Sequence, residues 1–403
     1  MEKKALLFQK LEEINNILKN SFNKEDIGVL SGASGISLFH FYYAELLNDN
    51  KIADAGVDKI SKVVEAINEG YSYPTFCSGI AGAGWVIEFL KNEDFIEIDT
   101  DVLLSELDTY LCNSMETDIK KGNYDFLHGA LGYAVYFFKR YENTNSLELK
   151  LKYKEYLLMF ISNLTKVAQR KETNMLWWES AKNEINISMS HGMSSIINFL
   201  SRLYKYEDFK TLVKPLIDGA VAYILSCKNN KYDTLSLFPN IIFKDEIIDR
   251  NSRLAWCYGD LGIGVTLWQV GKLLDNTAYR KEAIDIVKYT STRKTYKQTF
   301  VKDAGICHGS IGVMNMYNYM YRETKKTLFK EALDFWMDKT IEMAFHDDGY
   351  AGYKQFVENM KEGKKGDWKN QTNLLEGIAG IGLSIISYVA PFDTKWDECL
   401  MIS

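Results

Sequence analysis

Residues 76–90, FCSGIAGAGWVIEFL, set Gly79 and Gly82 three apart at the mouth of a run that is apolar on nearly every side. The same Gly-x-x-Gly element opens an apolar segment at Gly32 and Gly35, Gly129 and Gly132, Gly259 and Gly262, Gly309 and Gly312, and Gly377 and Gly380. An altered copy stands at Gly192 and Ser195. Successive first glycines lie 47, 50, 63, 67, 50 and 68 residues apart. Spacing of this order marks a repeat architecture in which each unit is one supersecondary element.

Each unit reads as two helices. Ile60, Val63, Val64 and Ile67 follow the i, i+3, i+4, i+7 pattern of an amphipathic helix. The segments behind the glycines are apolar all round, as a buried helix is. Seven buried helices alternating with seven amphipathic ones predict an all-α protein, an α/α toroid with concentric rings of seven inner and seven outer helices. An open solenoid would leave one side of the inner layer bare. The expectation is one domain over 1–403. The three long intervals leave room for a small extension near 229–252, in strands or a long loop, and for an exposed loop near 351–373.

Composition narrows the function. With 46% hydrophobic and 25% charged residues and four prolines, the 403-residue chain reads as globular, neither disordered nor fibrous. A net charge of −6 with the signs interspersed lacks the concentrated basic face of a nucleic-acid binder. No stretch reaches the ~20 apolar residues of a membrane span. The first twenty residues carry charges through their apolar part and read as an amphipathic helix, not a signal peptide. Six cysteines are too few for a disulfide scaffold, so the expectation is a cytoplasmic protein with free thiols.

If every inner helix starts at the same end, the residues preceding the glycine elements converge on one rim: Ser31, Ser78, His128, His191, Tyr258, His308 and Glu376. Two of these positions follow a cysteine, in Trp256-Cys257-Tyr258-Gly259 and Cys307-His308-Gly309. Cys257, Cys307 and His308 in adjacent units form a Cys₂His set, and three protein ligands with a fourth position open is the pattern of a catalytic zinc. The alternative at this point is two cysteines filling small core spaces and a histidine capping a helix. Cys77 holds the equivalent place in the second unit and reads as packing, as do Trp177 and Trp178.

Together, Trp-Cys-Tyr-Gly, Cys-His-Gly, Ser190-His191-Gly192 and the seven glycine elements resemble the lanthionine synthetase C-like proteins, over nearly the whole chain. The resemblance implies the toroid, one zinc on Cys257, Cys307 and His308, and an active site with His191, Arg253, Tyr258 and, on a looser motif match, Asp125. It implies a cyclase that closes lanthionine and methyllanthionine rings of a lantibiotic precursor by adding cysteine thiolates to dehydroalanine or dehydrobutyrine. A dehydrated precursor peptide with a leader segment would be the substrate. A dehydratase and exporter complex, the latter at a membrane, would be the partner. His191 would carry the proton, Arg253 would steady the enolate or the peptide, Asp125 would orient His191 or pair with Arg253, and Tyr258 would hydrogen-bond near the reacting atoms.

Three other readings compete. The same site would serve for adding glutathione to dehydrated residues of proteins. A toroid without catalysis would bind peptides. A glycoside hydrolase would need paired carboxylates, and Glu376 is the one carboxylate directly before a glycine element.

Overall fold

The computed structural model describes residues 2–171, 174–180, 183–230, 234–243, 250–358 and 366–403. Parts of the expected extension (231–233 and 244–249) and of the expected loop (359–365) lie outside these residues.

The inner ring consists of α2 (Ala33–Leu47), α4 (Ile80–Asn92), α6 (Ala130–Asn143), α8 (Met193–Leu203), α10 (Asp260–Leu273), α13 (Ser310–Thr324) and α15 (Ile378–Val389). Around it stand α1 (Glu2–Leu18), α3 (Asn50–Asn68), α5 (Thr100–Lys120), α7 (Leu147–Val167), α9 (Glu207–Ser226), α11 (Thr277–Thr290) and α14 (Thr327–Glu342). The short α12 (Tyr296–Thr299) lies in a connection. The expectation of two rings of seven holds. From α2 to α9, and again for α10 with α11 and α13 with α14, an inner helix is followed by the outer helix that covers it. The last inner helix, α15, is covered by α1 from the other end of the chain. Leu7, Leu11, Ile14 and Leu18 of α1 are fully buried, and each contributes about 2 kcal/mol of apolar burial. With α15 also packed on α2, the ring closes.

The two rings start their helices differently. Outer helices α3, α5, α7 and α11 are capped by the side chains of Asp49, Asp99, Ser146 and Asn276, which accept backbone N–H bonds from the first turn. Each inner helix starts at a glycine with no side-chain cap. There the loop folds back, and its carbonyl takes the cap's place. The N–H of Ile80 donates to Tyr73 O, Ala130 to Asn123 O, Ser310 to Asp303 O and Ile378 to Gln371 O, each seven residues upstream. The second glycine lets the same loop cross the first turn. A Cβ on Gly82 would fall 1.9 Å from Phe76 O, and one on Gly312 1.8 Å from Ile306 O.

The long intervals hold the strands. Between the third and fourth glycine elements, β1 (Gln169–Arg170) pairs with β2 (Leu176–Trp177), and β3 (Glu184–Asn186) follows. β4 (Ile241–Phe243), inside the expected extension, pairs antiparallel with β3. In the last interval β5 (Gln355–Val357) and β6 (Asp367–Lys369) form an antiparallel pair, so the expected loop has an ordered base. Trp178 is buried with its Nε1 donating to Leu164 O, and Trp177 stacks on Tyr223 at 5.0 Å, as core residues. The C-terminal 3₁₀ turn (Trp396–Leu400) and residues 401–403 pack against the inner helices: the Asn198 and Gln269 amides donate to Met401 O, and Trp256 Nε1 donates to Leu400 O. No helix among the described residues is long and apolar enough to cross a membrane.

Candidate metal centre

The loops before the inner helices bond to one another around the rim, and one series of these bonds links the residues two before each glycine. Leu375 N donates to Leu30 O, Leu30 N to Cys77 O, Cys77 N to Leu127 O, Ser190 N to Cys257 O, Cys257 N to Cys307 O, and Cys307 N to Leu375 O. These bonds bring both cysteines of the metal-ligand set to the rim by backbone alone. The exception among the described residues is the junction between Leu127 and Ser190, the seam between the third and fourth units.

On the bonded side, ligand atoms of Cys257, Cys307 and His308 lie within 4.8 Å of one another. Cys257 is 2% exposed, while Cys307 and His308 are partly exposed, so the cluster is closed beneath and accessible above. Burial raises the Cys257 thiol, but hydrogen bonds with Cys307 and His308 outweigh it and hold it down to about 5. The bond to Cys257 and burial push Cys307 well above the ordinary thiol range. Burial works against the His308 proton, yet Cys257 and the Glu376 and Asp303 carboxylates raise it to about 9. The pocket thus favours a thiolate on one of three converging donors. Three converging soft and borderline donors of this kind suit a cation such as zinc, which replaces their protons.

Gly259 shapes the loop that carries the first ligand candidate, Cys257. Its φ of +91° is a left-handed conformation, and a Cβ there would meet Arg253 O at 2.3 Å. Arg253 is partly buried on the same loop. Its charge helps to lower the Cys257 thiol, and no hydrogen bond or ion pair among the described residues ties down its guanidinium. Beneath this loop the buried Arg293 bonds both Asp260 Oδ2 at 3.1 Å and Ser252 O at 2.6 Å.

At the seam, side chains replace the missing backbone bond. Asp125 Oδ2 meets His191 Nδ1 at 2.5 Å, while Oδ1 accepts the N–H groups of Leu127 and His128 at 2.7 and 2.8 Å. Burial opposes both charges. The mutual hydrogen bond prevails, lowering the Asp125 carboxyl and raising His191. The exposed His128 ring stacks on His191 at 6.4 Å, and burial of its nitrogens lowers its pKa. Tyr258 also neighbours His191, ring centroids 5.9 Å apart, and the Asn186 side chain beside its hydroxyl acts against the rise that burial gives its pKa. Ser190 joins the two regions, since its N–H and its Oγ both donate to Cys257 O, at 3.2 and 3.1 Å.

The rim expected from the sequence therefore exists, and neighbours along it touch: Ser31 with Ser78, His128 with His191, His191 with Tyr258, His308 with Glu376. Cys77 stays outside the cluster, buried beside Ser31 and Ser78, with burial raising its thiol to about 11. Sequence reasoning passed over Asp303 and Asn186. Each belongs to the fold-back loop six residues before its glycine, so the repeat register itself was the signal that would have found them.

The family model described as "Lanthionine synthetase C-like protein" matches residues 23–401. The chain is 24% identical to the nisin biosynthesis protein NisC of Lactococcus lactis subsp. lactis, over 94% of this chain and 91% of that one. Its fold is similar to that of nisin cyclase, with a TM-score of 0.72 at 17% identity, covering 100% of this chain and 98% of the other. The chain belongs to the lanthionine synthetase C-like family.

Proposed function

From that membership, we propose that the chain is a zinc-dependent peptide cyclase that forms lanthionine and methyllanthionine thioethers in a dehydrated lantibiotic precursor. The observation that carries the reading is the convergence of Cys257, Cys307 and His308 on an accessible rim, beside an Asp125–His191 pair. The similarity to NisC and the nisin cyclase fold support the substrate class. Ring closure through α1 and α15 supports treating residues 1–403 as one domain.

Zinc held by Cys257, Cys307 and His308 would supply a Lewis acid that keeps a peptide cysteine as its thiolate, the nucleophilic form. The chain's own residues handle the rest. The thiolate sulfur bonds to the β-carbon of the dehydro residue, and the π electrons move to the enolate oxygen. The α-carbon then takes a proton. With Nδ1 held by Asp125, His191 has Nε2 free to accept the thiol proton and return one to the α-carbon. Arg253, with no ion pair among the described residues to neutralise it, would stabilise the enolate charge. The Tyr258 hydroxyl, with the Asn186 side chain next to it, would hydrogen-bond beside the reacting atoms. Dehydroalanine and dehydrobutyrine arise by loss of water from serine and threonine, so a dehydratase acts first, in the cytoplasm where thiols stay reduced.

Incubating the purified protein with a dehydrated, leader-bearing precursor tests the reading. Alkylation and mass spectrometry should show free thiols lost with no change in peptide mass. Adding glutathione separates the alternative, because a peptide heavier by one glutathione, with its own thiols still free, would contradict cyclisation.

A further inference from the structure

Two carboxylates approach His308, one at each ring nitrogen. Asp303 Oδ2 lies 3.8 Å from Nε2, and Glu376 Oε1 lies 3.8 Å from Nδ1. The distances match but the engagements differ. Asp303 is spent on the loop: Oδ1 accepts the Gly305 N–H at 3.0 Å, and Oδ2 accepts the Phe356 N–H at 2.8 Å, pinning β5 to the rim. Glu376 serves no such purpose. One oxygen faces His308, its charge acts on the neighbouring Cys307 thiol, and its Oε2 is buried without a hydrogen-bond partner. A buried carboxylate oxygen left without a partner is costly and rare, and calls for an explanation in the molecule's chemistry.

The surroundings make room for this carboxylate without using it. A Cβ on Gly305 would stand 3.3 Å from Glu376 Oε2, so the glycine leaves the space that the carboxylate fills. Of the polar side chains lining the same small cavity, Gln371 donates to Gln355 at 3.0 Å, Lys354 pairs with Asp348, and the Tyr353 hydroxyl is itself buried without a partner. The ion-pair distance that Glu376 does make is to His308, next to Cys307.

We propose that Glu376 is the positioning residue of the metal centre, one carboxylate that holds both Cys307 and His308 in their ligating orientations, whereas Asp303 anchors the loop. This rests on the zinc reading above. Groups that orient ligands in this way typically change metal affinity by about 10- to 100-fold when removed. They do so without contributing a ligand themselves.

The test measures Zn²⁺ affinity of the full chain by competition with a chromophoric chelator, and the visible spectrum of the Co²⁺-substituted protein. Thermal melting of the metal-free protein controls for folding. Glu376→Ala should bind Zn²⁺ about 10- to 100-fold more weakly, with altered Co²⁺ bands and a melting point close to wild type. Glu376→Gln, which keeps an acceptor oxygen, should recover much of that loss. Lacking the charge, it should still bind Zn²⁺ measurably more weakly than wild type, so it carries the test should the alanine variant not fold. Asp303→Asn should lower the melting point while leaving Zn²⁺ affinity nearly unchanged. Unchanged affinity and spectrum in both Glu376 variants would overturn the proposal, as would an equal affinity loss in Asp303→Asn at wild-type melting. A wild-type chain that binds no Zn²⁺ would instead overturn the zinc reading itself.

Discussion

One rim carries two regions built in different ways. From the fourth unit through the seventh, backbone bonds run Ser190 to Cys257 to Cys307 to Leu375, and the metal-ligand candidates ride on that continuous track. Between the third and fourth units no such bond exists among the described residues, and the Asp125–His191 side-chain pair spans the gap. The backbone track ties the two cysteines to each other, and their sulfurs lie within 4.8 Å of one another. A side-chain bridge allows an imidazole to change its proton and its hydrogen bonds during a reaction. On the proposed function, thioether formation would ask for rigid ligands from the first region and an adjustable proton carrier from the second.

The largest effect should come from cutting into the bonded side. Cys257→Ala removes the best-buried ligand candidate, and should lose both bound metal and detectable cyclisation while the helical circular dichroism persists. Retained cyclisation would break the comparison at its root. At the seam, His191→Ala should keep its metal and lose about 10²- to 10⁴-fold in turnover, as removal of a proton carrier does. Loss of metal in that variant would mean that the two regions are not separable.

Asp125→Asn sharpens the distinction through pH. The carboxylate raises His191, so the neutral amide should let its pKa fall, and the limb of the pH–rate profile that reports His191 should move to lower pH. The pair's stability contribution has a matching sign. It is fully present below the ordinary histidine pKa of about 6.5 and is lost as pH rises through the higher folded value. At the acid end it is lost as pH falls through the lowered Asp125 pKa. A limb that stays in place would separate Asp125 from His191's titration. The smallest effect belongs to the link between the regions. Ser190→Ala deletes one of two bonds to Cys257 O and should cost about 1 kcal/mol of stability, read from denaturant melts, with metal retained.

Much of this was legible in the chain because the glycines recur in register. In five of the seven elements the second glycine passes close under a carbonyl six residues back, while Gly262 is looser and the fourth element holds Ser195. The repeat, the ring of seven and the rim therefore follow from the register of the glycines. The metal-ligand candidates rode on the same register. Pairings between distant segments were not legible. β3 meets β4 across more than fifty residues, and three-residue strands carry too little alternation to be recognised. The seam also escaped notice, because nothing in the glycine spacing marks it: the intervals of 67 and 68 residues keep their backbone bonds, while the interval of 63 does not. Glu376 was visible only as a carboxylate without a catalytic partner. Its meaning depends on which oxygens Asp303 has already committed, and hydrogen-bond bookkeeping of that kind exists only in three dimensions.

The central claim is that the bonded side holds metal independently of the seam. Elemental mass spectrometry of the purified wild-type, Cys257→Ala and His191→Ala proteins, reconstituted under reducing conditions, tests it most directly. The account predicts about one zinc per chain in the wild type and in His191→Ala, and none in Cys257→Ala. A wild-type chain without zinc would return Cys257, Cys307 and His308 to the role of core thiols and a helix cap. The chain would then be a peptide-binding ring rather than a cyclase.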